Sequence, residues 1–122
     1  MNSGLAARTA RLRELIESGA THEHWGELYR QIVEPYEQAA AAIKAGDKDG
    51  VDLVLEYLEL HPRFFRSGYV AERLIRALAR AQLTVEQRAR ARKALQNIAE
   101  GRTRERREAV RVLDGWDSAS AE

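Results

Sequence analysis

Three groups of side chains in this 122-residue sequence have types and spacings that could do chemistry. The first is acidic. The stretch Ala45 to Glu56, AGDKDGVDLVLE, matches a calcium-binding loop at its third, fifth, sixth and twelfth positions. Its first position is alanine, where a carboxylate ligand belongs, and Asp52 stands where an apolar residue belongs. The stretch reads instead as a helix start, with Asp49 or Asp47 at the cap and acids near the positive helix terminus. The second group is His22-Glu23-His24 with Glu27. His24 and Glu27 fall one turn apart, but His22 and His24 point to different sides of a helix. His61 is remote, and the chain has no cysteine. These residues read as an exposed helix start, and no metal or other cofactor is expected.

The third group is basic. Arg66, Arg73, Arg76 and Arg80 are spaced by 7, 3 and 4, which places them on one side of a helix. Arg104, Arg107 and Arg111 repeat the pattern further on, and Arg88 and Arg92 lie between. Arginine suits paired hydrogen bonds to carboxylate or phosphate. Phe64, Phe65 and Tyr69 flank Arg66. Two readings of them stand side by side: aromatic core, or an apolar anchor ringed by arginines. The four arginines of the first stripe are expected to add their fields, although Glu72 can neutralise Arg76 one turn away. No glycine-rich phosphate loop, nucleophile elbow or zinc-protease helix is present, so catalysis is not expected.

Charge distribution sharpens this picture. The formal net charge is only +1. Residues 1–62 hold 6 Lys/Arg against 11 Asp/Glu, and residues 63–112 hold 14 against 5. The molecule is therefore dipolar, acidic in front and basic behind. The absence of cysteine excludes a disulfide framework and fits a cytoplasmic setting. The first 20 residues show no secretory pattern, and no stretch approaches the ~20 apolar residues of a membrane span.

These side chains must be positioned by helices. Val51, Val54, Leu55 and Leu58 recur at helical spacing, with Leu53, Tyr57 and Leu60 on a second stripe. A helix apolar on most sides predicts a central element over 51–60. Around it, periodicity predicts a first helix from Gly4 to Ser18, closed by Gly19, and a long second helix capped by Thr21. That second stripe runs from Trp25 through Leu28, Tyr29, Ile32, Tyr36 and Ala39 to Ile43. Pro35 inside it predicts a kink, or a break into two helices. Ala39 to Ala42 would let another helix come close. A small-molecule pocket lined by Trp25, Tyr29, Tyr36 and Tyr57 is a further possibility, with packed core as the alternative. His61-Pro62 ends the third helix. The fourth begins at Pro62 or at Ser67, and buries Ala71, Leu74, Ile75 and Leu78. Either Ser67 starts it, or a neighbouring backbone packs against Gly68. Thr84 to Gln87 is a capping box opening the fifth helix. The sixth spans about 103–114, burying Ala109, Val110, Leu113 and Trp116.

The fold expected is all-α: about six antiparallel helices in a compact bundle or a short α-solenoid. Residues 1–116 form a single domain, and the tail 117–122 is expected to be disordered. The last helix, Arg-Arg-Glu-Ala-Val-Arg-Val-Leu over 106–113, resembles the second helix of a HEAT-like repeat, and residues 51–113 resemble two such helix pairs. The resemblance implies stacked hairpins with one face free for a partner. Function is then expected to be non-enzymatic: a small protein-binding module, of adaptor or immunity/antitoxin type, that engages an acidic protein through Phe64, Phe65, Arg66, Tyr69, Arg73, Arg76, Arg80, Arg104, Arg107 and Arg111. The alternative is a nucleic-acid binder using the same face. The scarcity of lysine and the acidic front half weigh against it.

Overall fold

A computed structural model of the chain describes residues 3–63 and 66–121, so Phe64 and Phe65 lie outside the described residues. Six helices lie among the described residues: α1 (Ser3–Glu17), α2 (His22–Lys44), α3 (Val51–Leu60), α4 (Ser67–Arg80), α5 (Val85–Ala99) and α6 (Arg106–Ala121). There is no strand among the described residues. Nor is any helix among them long and apolar enough to cross a membrane.

The helices pack as hairpins in chain order. α1 lies on α2, α3 on α4 and α5 on α6. The middle hairpin contacts both neighbours, through α2·α3 and α2·α4 on one side and α3·α5 and α4·α6 on the other. Side-chain pairs give the directions. Glu37 meets Arg73 while Lys44 and Arg80 line one depression, so α2 and α4 run the same way. Glu72 meets Arg104 while Arg76 meets Glu108, so α4 and α6 also run together. Three helices thus share one face of the stack, with α4 in the middle.

The core follows from the apolar stripes. On α3, Val51, Val54, Leu55, Tyr57 and Leu58 are all buried, which is what a central helix with stripes on two sides requires. Val70, Ala71, Leu74, Ile75 and Leu78 of α4 close over it. The Tyr36 and Tyr57 rings pack 5.0 Å apart, and both are core rather than pocket lining. Tyr57 donates its hydroxyl hydrogen to the Ser67 carbonyl at 3.4 Å, which anchors the start of α4. Trp25 stands edge-on to Tyr29, at 6.2 Å and half-buried.

Several local expectations are refined. α2 continues through Pro35 without a break, because Val33 and Tyr36 on either side are buried and hold the helix in phase. Neither Asp47 nor Asp49 caps α3. Asp47 accepts a hydrogen bond from the Asp49 backbone N–H at 2.9 Å, closing the turn, and Gly50 occupies the cap position. Gly50 is there because of space: a Cβ on it would lie 2.6 Å from the Ala39 carbonyl oxygen. Thr21 occupies the α2 cap, but its hydroxyl turns to the His24 ring at 3.2 Å. His61 leaves the helix in the left-handed region (φ 47°), and α4 starts at Ser67 rather than Pro62. Neighbouring chain also crowds Gly68, whose Cβ would meet the Arg104 Cβ at 3.4 Å.

α6 differs most. It starts later than expected and is helical to Ala121, so the segment from Asp117 to Ala121 continues the helix rather than leaving it. Asp117 is held there by Arg92 at 2.7 Å. Its buried residues are Ala109, Val112 and Trp116, whereas Val110 and Leu113 are only half-buried. Val110, Val112 and Leu113 offer two equally apolar registers, and packing selects the one through Val112.

Candidate docking surface

α4 buries one stripe and therefore presents the opposite one. With Ala71, Leu74, Ile75 and Leu78 inward, Arg73, Arg76 and Arg80 must face out, and all three are exposed. Arg66 precedes the helix in the left-handed region (φ 61°), so it belongs to the turn and not to the stripe.

The arginines do not form an uninterrupted positive field, contrary to what their spacing predicts. Acids from three helices stand among them. Arg73 donates to Glu37 of α2 at 2.6 Å. Arg76 reaches Glu72 at 3.7 Å and Glu108 of α6 at 3.3 Å. Arg104 pairs with Glu72 at 2.9 Å, and Arg111 with Glu108 at 2.9 Å. The Arg111 hydrogen bond, with help from Arg76, outweighs the cost of burial and holds the Glu108 carboxyl below its usual range. Glu72 and Glu108 are largely covered by the guanidinium groups, so the network fastens α4 to α6.

Between α2 and α4 runs a groove of about 400 Å³. Ala40, Ala41, Ala77 and Leu74 make its floor. Lys44, Arg73, Arg76 and Arg80 line it against a single acid, Glu37, so the lining carries +3. Lys44 and Arg80 have no acidic partner among the described residues. They sit in the last turns of α2 and α4, where a cation also offsets the helix dipole.

Two further depressions extend the groove. One of about 360 Å³ shares Arg73 and Arg76 with it and adds Tyr29, Arg66, Tyr69 and Glu72. Tyr69 is 48% exposed, the more accessible of the two aromatics there. The Arg104 guanidinium stacks on its ring, 4.1 Å from the centroid. The other depression, about 330 Å³, shares Lys44 and Arg80 and adds Asp47 and Lys48. The result is a trough along the whole of α4.

The structure therefore groups Arg66, Tyr69, Arg73, Arg76, Arg80 and Arg104 along this trough. Arg111 engages Glu108 on α6, and Arg107 is exposed there without an ion pair among the described residues. Arg88 and Arg92 do not join: their guanidinium groups lie 4.7 and 6.0 Å from the Trp116 ring. Sequence reasoning missed Lys44, Glu37 and the alanine floor. The signal for Lys44 was its place in the last turn of a helix; the alanines were visible, but not which helix would lie beside them.

One polar site lies at the edge of this surface. The Nε2–H of His61 donates to Oε2 of Glu105 at 2.9 Å. Glu105 is buried, and its other oxygen, Oε1, has no hydrogen-bond partner among the described residues. Nowhere among the described residues do three His, Asp or Glu side chains gather as a metal site would require. The chain matches no family model, no curated protein and no solved structure.

Proposed function

We propose that this chain is a non-enzymatic protein-binding module, of adaptor or immunity/antitoxin type, that engages an acidic protein along α4. One observation carries the reading. The α2–α4 groove joins an apolar alanine floor to four cations, two of which, Lys44 and Arg80, have no acid of this chain to satisfy them among the described residues. A protein interface wants that combination: an apolar centre, an exposed aromatic such as Tyr69, and arginines at the edge. Carboxylates from a partner would gain association rate from steering and register from paired hydrogen bonds.

The interleaved acids weigh against the nucleic-acid alternative. A phosphate backbone tracking α4 would meet Glu37, Glu72 and Glu108 at close intervals. An acidic protein can instead set its carboxylates opposite the cations and uncharged residues opposite those acids. The stacking of successive hairpins supports a HEAT-like reading of residues 51–113, with the shared α2–α4–α6 face as the binding face. The proposal keeps a cytoplasmic setting, which the cysteine-free sequence fits.

The test is a charge reversal away from the ion-pair network. Reversing Arg73 and Arg76 would set new acids beside Glu37, Glu72 and Glu108, so those variants would confound binding with folding. Lys44→Glu/Arg80→Glu removes no internal pair. It should leave the melting temperature within a few degrees and abolish capture of acidic proteins from nuclease-treated lysate. Retention of nucleic acid alone by the wild type, with no protein once nuclease is added, would replace this reading by its alternative.

A further inference from the structure

We propose that the α2–α4 groove receives one amphipathic helix of the partner, its small apolar stripe on the alanine floor and its acids facing Arg73, Arg76, Arg80 and Lys44. The inference rests on the acidic-partner reading above and narrows it to a shape.

Three features select a helix. The first is what the surface lacks. No strand exists among the described residues, so an extended peptide finds no sheet edge to pair with and would leave its own backbone unsatisfied. A helix arrives with its backbone bonds already made. The second is the floor. Ala40, Ala41 and Ala77 project only methyl groups, so a guest helix can approach at the near end of the usual interaxial range of about 8–10 Å. About 400 Å³ holds a few apolar side chains, leaving the body of the guest above the rim. The third is spacing. Arg73 and Arg80 are two helical turns apart, about 10.5 Å at ~1.5 Å per residue. A guest running alongside meets them with acids at i and i+7, and meets Arg76 with one at i+3 or i+4.

The charges also grade the guest. Glu37 sits at the Arg73 end, while Lys44 and Arg80 stand together at the other. The densest acids of the guest should therefore lie beside Lys44 and Arg80.

The experiment is a selection on the full chain from a displayed library of random 16-residue peptides, counter-selected on Lys44→Glu/Arg80→Glu. Enriched peptides should share acids at i, i+3 or i+4, and i+7 beside an apolar stripe. Circular dichroism should show them gaining helix on binding. Ala77→Trp or Ala41→Trp, which fill the floor without touching charge, should each weaken binding at least tenfold, as should a proline at the peptide's centre. Two variants on opposite walls guard against one of them failing to fold. Acidic peptides that need Lys44 and Arg80 but tolerate the central proline would overturn the helix and leave the acidic-partner reading standing. Peptides that ignore both the charge reversal and the tryptophans, or failure to enrich any that depend on the groove, would overturn both.

Discussion

His61 and Glu105 are joined by a 2.9 Å hydrogen bond across 44 residues of sequence. The bond links the residue that ends α3 to the one just ahead of α6, and so closes the α3–α4 hairpin onto the α5–α6 hairpin. Burial alone would raise the Glu105 carboxyl. The His61 hydrogen bond is the largest of the effects that outweigh it and bring the group down to about 2. A carboxyl lowered on folding stabilises the native state above its unfolded value near 4.5, and that contribution fades as pH falls toward 2. The wild type should therefore lose stability steadily between pH 4.5 and pH 2. In Glu105→Gln this component of the slope should be absent, with lower stability at neutral pH. Parallel denaturation curves for the two proteins across that range would show that the bond does not matter.

Leu58 tests the claim that α3 is central. It is 1% exposed and lies among Leu55, Leu74 and Leu78 in the buried core. Leu58→Ala should cost about 2–5 kcal/mol by chemical denaturation, since the surrounding side chains only partly fill the hole. A loss under about half a kcal/mol, the range usual for surface changes, would remove α3 from the centre of the fold.

Two glycines should respond in opposite ways. Gly50→Ala would drive a methyl group into the Ala39 backbone, 2.6 Å from its carbonyl oxygen, so α2 and α3 must part. It should destabilise by roughly 1–3 kcal/mol. Gly115 lies inside α6 with nothing near its missing Cβ. Gly115→Ala should be neutral or stabilising, by up to about 1 kcal/mol, because alanine favours the helix. Thermal melts of the pair check both signs at once.

The capping box at the start of α5 is complete. Thr84 accepts from the Gln87 N–H at 3.1 Å, and the Gln87 side chain accepts from the Thr84 N–H at 3.0 Å. Thr84→Ala should cost about 1 kcal/mol, measured by urea denaturation. An unchanged midpoint would mean that the helix start is held by packing alone.

Most of the helices were legible because their signals are local. Periodic apolar residues, the Thr84 box, Gly19 and Pro62 each act within a turn or two. Helix makes up 79% of the described residues, in keeping with the all-α expectation. What the sequence hid is what distant segments do to one another. Gly50 reads in sequence as the sixth position of a loop pattern, and is a packing constraint from Ala39. Arg73 and Arg76 looked like one stripe of charge. Their fields are cut by Glu37, 36 residues away, and Glu108, 32 residues away. Lys44 looked unremarkable until α2 was laid parallel to α4 and brought it beside Arg80. The α6 register is ambiguous for a local reason, since Val110, Val112 and Leu113 satisfy two phases equally.

The most direct test of the docking surface is the dissociation constant of an acidic protein captured from nuclease-treated lysate, measured by titration calorimetry against wild type and Lys44→Glu/Arg80→Glu at two salt concentrations. Binding should be weaker by about 2 kcal/mol or more in the variant, roughly thirtyfold, with a shallower salt dependence. Equal affinity within twofold, with the same salt response, would contradict a docking role and show that the two cations serve only the ends of their helices.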